Sequence, residues 1–239
     1  MASLLLPIIY LAFISLGLPD ALLGAAWPTM YPQLGAQVSW AGGVSMIISA
    51  CTILSALASD RLNERLGTGR VTAISAATTA AALVGFSFCH AFWQLCLWAI
   101  PYGLGAGSVD AALNNYVALH YKSRHMSWLH CMWGVGASLG PVIMGQALAG
   151  SGWQGGYRII GIWRVVLTVV LLFSLPLWKL PQDAMGGAPF TPQHRSFPEL
   201  LKITGVPEVL VCFLCYCALE STAGMWASSY CTLVRGLDA

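Results

Sequence analysis

Seven apolar runs, each about as long as a bilayer is thick, constrain this chain more than any motif does. A helix needs about 20 apolar residues to cross the hydrocarbon layer. The runs 4–30, 40–58, 71–89, 92–118, 128–149, 159–178 and 207–233 meet that length with few charges. In lipid, backbone N–H and C=O groups must bond within their own segment, so such runs fold as helices. Composition agrees: 8% of the 239 residues are charged and 57% are apolar, whereas a soluble domain carries roughly 25% charge. Disorder requires the opposite balance. A net charge of +2 implies neither nucleic acid nor an acidic partner. The expected fold class is all-α integral membrane, with the lipid bilayer as its first partner.

The basic residues orient the spans. Arg61, Arg65 and Arg70, then Lys122 and Arg124, then Lys179, Arg195 and Lys202 follow the second, fourth and sixth runs, so eight of the eleven basic residues fall on alternate loops. The positive-inside rule puts those loops, and the N-terminus, in the cytoplasm. Trp40, Trp93, Trp128, Trp153 and Trp178 fall near span ends, where an aromatic belt is expected. Arg164 is the misfit: it lies inside the sixth run and must snorkel or pair. The eight cysteines sit in or beside apolar runs and read as buried free thiols.

Residues 179–206 change character, with Pro181, Pro189, Pro192 and Pro198 breaking helix among more frequent polar residues. This divides the chain into a six-helix transmembrane domain (1–178), a cytoplasmic linker (179–206) and a seventh transmembrane helix (207–239), the start of an incomplete second domain.

Three carboxylates lie inside apolar runs: Asp20 in the first, Asp110 in the fourth and Glu220 in the seventh. An ionised acid at mid-bilayer costs roughly 2.5–3.5 kcal/mol on insertion scales, so such residues face a cavity or a partner, or take up a proton. The three-helix interval, and the echo of Asp20-Ala21-Leu22-Leu23 in Asp110-Ala111-Ala112-Leu113, suit a 3+3 inverted repeat with a mid-membrane site. Gly103, Gly107, Asp110 and Asn114 recur on one helical face, with Asn115 beside them; Asp20, Gly24, Trp27 and Tyr31 repeat the spacing. Tyr216, Glu220 and Gly224 stack similarly in the last run. Small and polar residues on one face also suit close helix packing. His120, His125 and His130 are five apart and share no face, so no metal site is expected.

The segment Gly103-Leu104-Gly105-Ala106-Gly107-Ser108-Val109-Asp110-Ala111-Ala112-Leu113-Asn114-Asn115, with Leu129-His130, Gly134, Gly136 and Gly140-Pro141, resembles the fourth and fifth spans of the major facilitator superfamily, closest to its fucose-permease-like sugar/proton symporters. Asp60-Arg61 through Gly67-Thr68-Gly69 is similar to that family's loop between spans two and three, and Glu220 through Gly224, Trp226 and Arg235-Gly236 to its seventh span. The chain departs from the loop pattern at Ala56, where the family has Gly, and at Leu62-Asn63-Glu64. It also has seven spans where the family has twelve.

The resemblance implies a transporter of small polar solutes, a sugar or related compound, coupled to protons and working by alternating access. Asp110 and Asp20 would carry protons, with Asp20 also able to bind substrate. Asn114, Asn115 and Gln146 would offer amides to hydroxyls, Trp27 and Trp133 would stack on the solute, and His130 and Glu220 would line the site. Asp60 and Arg61 would gate the cytoplasmic side. No cofactor and no enzymatic activity is expected: Gly105-Ala106-Gly107-Ser108-Val109-Asp110 lacks the Gly-x-Gly-Asp of membrane aspartyl proteases. A seven-helix receptor would put the N-terminus on the other side. The alternative to transport is a truncated, inactive half-transporter or a non-transporting membrane protein, completed by a missing C-terminal half or by a second copy. The expected setting is the plasma membrane or a bacterial inner membrane.

Overall fold

A computed structural model describes residues 2–179 and 197–237, and every regular element among them is helical. In chain order these are α1 (Ala2–Gly17), α2 (Leu22–Gln33), α3 (Trp40–Leu66), α4 (Thr68–Phe86), α5 (Phe92–His120), α6 (Ser123–Leu148), α7 (Gly152–Ser174) with a 3-10 turn (Leu175–Lys179), the short α8 (Phe197–Leu200) and α9 (Val206–Leu233). Most of the expected linker, with Pro181, Pro189, Pro192 and Arg195, lies outside the described residues.

Six segments are long and apolar enough to cross a membrane: Leu4–Gln33, α3, α4, α6, Gly152–Trp178 and α9. The expected fourth span, α5, is a single helix of 29 residues but falls short in apolarity. Asp110, Asn114, Asn115 and its glycines dilute it, and it packs along α3 and α4 inside the body.

Helix ends depart from the expected runs because hydropathy registers only the lipid-exposed part. α3 continues past residue 58 to Leu66, carrying Asp60, Arg61, Glu64 and Arg65 beyond the apolar stretch until Gly67, at φ +79°, turns the chain into α4. α7 begins at Gly152 rather than at 159, which puts Arg164 twelve residues in, about 18 Å from the helix start at 1.5 Å per residue.

The first span is broken. Its ladder ends at Gly17 and resumes at Leu22, with Asp20 N–H donating to the Gly17 carbonyl (3.2 Å) and Leu22 N–H to the Pro19 carbonyl (3.1 Å). Pro19 supplies no N–H and its ring opposes the carbonyl four residues back. Pro101 and Pro141 lie inside continuous helices, so proline alone does not break a span. At 17–19 a glycine joins it, and Gly17 is pressed against the Trp133 backbone, where a methyl would strike the Trp133 carbonyl.

Packing follows a two-fold pattern. The second span (α3) lies on the fourth (α5) as the fifth (α6) lies on the first (α1–α2), and the third lies on the sixth. Both equivalent pairs close through glycines: a methyl on Gly103 or Gly107 would strike the Ile48 or Thr52 carbonyl of α3, and one on Gly136 or Gly140 would strike the Ile14 or Leu18 carbonyl of the first span. Small residues let helix backbones approach closely where lipid offers no hydrophobic drive to association.

The buried apolar residues form two clusters stacked along the helices. Leu22, Trp27, Met30, Phe86, Leu95, Trp153 and Tyr157 belong to one; Leu5, Phe13, Ala76, Leu113, Leu129 and Leu167 belong to the other, nearer the basic loops. Between them runs a seam that holds Thr79 and Arg164. The outward faces of α3, α7 and α9 expose Leu57, Phe173 and Leu214, as lipid contact requires.

Candidate functional site

The break in the first span sets Asp20 in a turn rather than on a helical face; the residue is exposed, and α5 and α6 each send one donor to its carboxylate. Trp133 Nε1–H donates to Oδ2 at 2.7 Å, and the Tyr102 hydroxyl donates to Oδ1 at 3.4 Å. Asp20 lies within electrostatic reach of Asp110 on α5 and of Arg164 on α7. Asp110, ten residues before the end of α5 and thus about 15 Å deep, accepts a hydrogen bond from Asn114 Nδ2 at 3.0 Å and lies within electrostatic reach of His130. His130 packs edge-on against Phe13, with ring centroids 6.1 Å apart. The first, fourth, fifth and sixth spans thus bring two acids, an imidazole, an indole, a phenol and a guanidinium together.

Beside Asp20 lies a cavity of about 90 Å³, lined by Pro19, Ser45, Phe86, Tyr102, Tyr157 and, from α9, Met225. Its volume would admit a few waters, at about 30 Å³ each. Solute pockets run to about 300–1,000 Å³. A larger hollow of about 540 Å³ opens at the basic-loop end between Gly69, Arg70, Tyr116 and Trp178. It contains neither acid, so size does not mark the chemistry here.

The expected site residues divide. Asp20, Asp110, Trp133, Asn114 and His130 are joined by hydrogen bonds or electrostatic reach, although Asn114 spends its amide on Asp110. Trp27 does not belong with them: it has no exposed surface, and its Nε1–H is spent on the Val38 carbonyl at 2.8 Å. The face proposed for Asp20, Gly24, Trp27 and Tyr31 fails because α2 starts only at Leu22. Gly24 faces α9 instead, where a methyl would strike the Gly224 carbonyl. Gly103 and Gly107 are likewise helix contacts rather than lining. Asn115 and Gln146 are exposed, and no hydrogen bond among the described residues ties them to the acids. Glu220 is half-buried on α9 and pairs with the Tyr216 hydroxyl rather than with either acid. Asp60 and Arg61 are exposed near the end of α3.

Two residues of this cluster were not singled out as site residues in the sequence. Tyr102 carries no signal beyond lying eight residues before Asp110 in α5, about two turns away on the same side. Arg164 was marked only as a misfit. It does not snorkel: it is 1% exposed, and its guanidinium donates to Thr79 and Ser15.

Against known proteins, no curated protein matched the chain. The pattern of the Major Facilitator Superfamily matches residues 9–239, taking in all the long helices from the middle of α1 to α9. With helices that cross a membrane and this match along nearly its whole length, the chain belongs to the Major Facilitator Superfamily of membrane transporters.

Proposed function

We propose that the protein moves a small polar solute, a sugar or related compound, across the plasma membrane or a bacterial inner membrane. Transport is coupled to protons and works by alternating access, with the N-terminus in the cytoplasm. One observation carries the reading: two acids lie inside helices of the bundle, Asp20 in a break of the first span, where Trp133 of α6 and Tyr102 of α5 donate to its carboxylate, and Asp110 eight residues on from Tyr102 in α5. Both acids are exposed in this arrangement, and an acid at membrane depth trades its proton as water access to it changes. Asp110 is the proton carrier in this proposal, and Asp20 shares the proton or binds the solute. Trp133 and His130 flank the acids. Asn115, Gln146 and Glu220 would meet the solute only in another arrangement of the helices, and Asp60 with Arg61 guards the basic-loop end.

The test is solute-driven proton flux in proteoliposomes containing the full chain, with a panel of monosaccharides and polyols as the first probes. Asp110→Asn is expected to abolish the flux while leaving the protein folded. Wild-type flux in that variant would overturn the carrier assignment.

A second reading has its own support. The cavity beside Asp20 is several-fold too small for a sugar, and among the described residues α9 buries only Ser229. On this reading the chain does not transport alone, and the second half of the pathway comes from another polypeptide or a second copy. Flux that appears only on co-reconstitution with such a partner, or only in cross-linked dimers, would select it.

A further inference from the structure

Gly67, at φ +79°, turns the chain from the end of α3 directly into α4. No side chain caps the new helix, and its first turn carries no acid. The first N–H groups of a helix have no partner within it. Val71 N–H reaches back to the Gly67 carbonyl at 3.1 Å, while those of Thr68, Gly69 and Arg70 find no backbone acceptor among the described residues. These three residues line the hollow of about 540 Å³, together with Tyr116 of α5 and Leu175 and Trp178 of the turn after α7. Arg70 alone is charged among the described residues of that wall, and it is exposed, with neither hydrogen bond nor ion pair among them. Tyr116 is an independent sign. It is 7% exposed, with its ring stacked on His120 (centroids 4.2 Å apart) and tilted against Trp178 (5.0 Å). Yet its hydroxyl makes no hydrogen bond among the described residues, where a buried hydroxyl is ordinarily bonded. The opposite wall is fixed. Trp178 Nε1–H donates to Ser174 Oγ at 3.0 Å, and Gly69 lets the indole lie close, since a methyl there would stand 2.6 Å from its Cγ.

We propose that this hollow binds the phosphate group of a small ester. A helix N-terminus offers an anion both unpaired N–H groups and a partial positive charge. Arg70 adds a full charge and a planar fork that meets phosphate oxygens in pairs. Tyr116 adds a neutral O–H. All three kinds of donor are unspent, and no carboxylate among the described residues lines the hollow to compete. The volume lies in the range of small-molecule sites and exceeds what a bare phosphate fills, so the remainder of the ester rests against Leu175 and Trp178. The site stands at the basic-loop end, is lined by neither Asp20 nor Asp110, and does not depend on what the protein transports. The same chemistry has two sources, a soluble phosphate ester and the headgroup of an anionic phospholipid whose chains stay in the bilayer.

The test is equilibrium binding to the purified full chain, in two arms. Radiolabelled inorganic phosphate and glycerol phosphate are offered in lipid-free micelles, and radiolabelled phosphatidic acid in mixed micelles with an excess of phosphatidylcholine. Saturable binding is expected in at least one arm. Binding in the first names a soluble ester, and binding confined to the second names a lipid headgroup. Arg70→Gln is expected to weaken that binding about tenfold or more, the loss of a hydrogen-bonded charge. Tyr116→Phe keeps the stacked ring and removes only the hydroxyl, and is expected to weaken it by about two- to tenfold. Arg65→Gln removes the same charge from the exposed end of α3, outside the hollow, and is expected to leave binding unchanged. Arg70 is an exposed side chain and Tyr116 loses one atom, so both variants should fold as the parent does. Saturable binding in neither arm overturns the proposal. Unchanged affinity in Arg70→Gln or in Tyr116→Phe does so too, as does an equal loss in Arg65→Gln and Arg70→Gln, which would mark a diffuse basic surface rather than a site.

Discussion

Gly140 and Gly134 lie six residues apart on α6, and the structure gives their alanine variants opposite fates. An alanine in an open helical position gains roughly 0.5–1 kcal/mol over glycine, because the unfolded chain loses less entropy. Nothing lies within 4 Å of a methyl built on Gly134, so Gly134→Ala is expected to show that gain undiminished. A methyl on Gly140 would strike the Leu18 carbonyl oxygen and stand 3.1 Å from its carbon. Backbone cannot swing away as a side chain does, so α1 and α6 must part. Overpacking of this kind costs about 1–3 kcal/mol. The helix gain is common to both variants and cancels, leaving a gap of about 1–3 kcal/mol that is the packing clash itself. Reversible unfolding of the two variants in mixed micelles measures that gap. Leu18 is two residues from Asp20, so Gly140→Ala should also disturb the 2.7 Å bond from Trp133 and with it the Trp133 emission, while Gly134→Ala should not. Equal stabilities, or Gly140→Ala the more stable, would refute the close approach of α1 and α6 and the position it gives Asp20.

Two further outcomes follow from the same geometry. Trp27→Phe should cost about 1–3 kcal/mol in stability, through the lost bond to the Val38 carbonyl and the gap left in the core; solute affinity per folded molecule should stay at the parental value, and a large affinity loss would return Trp27 to the binding site. Ser228 donates to the Ala25 carbonyl at 3.3 Å, whereas the Ser229 hydroxyl is buried without a partner among the described residues. Ser228→Ala should therefore destabilise the seat of α9 on α2 by about 0.5–1.5 kcal/mol, while Ser229→Ala should be neutral or stabilising. Chemical denaturation separates the two, and the reverse order would sink this register of α9 on α2.

The sequence by itself marked six spans that the structure repeats as long apolar helices, because about twenty apolar residues in a row fold as helix in lipid; the expected fourth, α5, is a helix but falls short in apolarity. It also marked Asp20 and Asp110, because an acid inside such a run is improbable without a task. The glycine spacing was legible, but its meaning was not. A face that reads as lining is the same face that lets backbones touch, and Gly103 and Gly107 turned out to touch α3. Trp27 shows the limit of face arguments, since a period of 3.6 carries across a helix only while the helix is continuous, and Gly17 with Pro19 ended it. Tertiary structure alone decided the partners. Tyr102 and Trp133 meet Asp20 from positions 82 and 113 residues away, and Ser15 meets Arg164 across 149. No local pattern encodes such pairings, because they depend on which helices are neighbours and at what height. That in turn is set by where α7 begins in the membrane and by how closely the glycines let α1 and α6 approach.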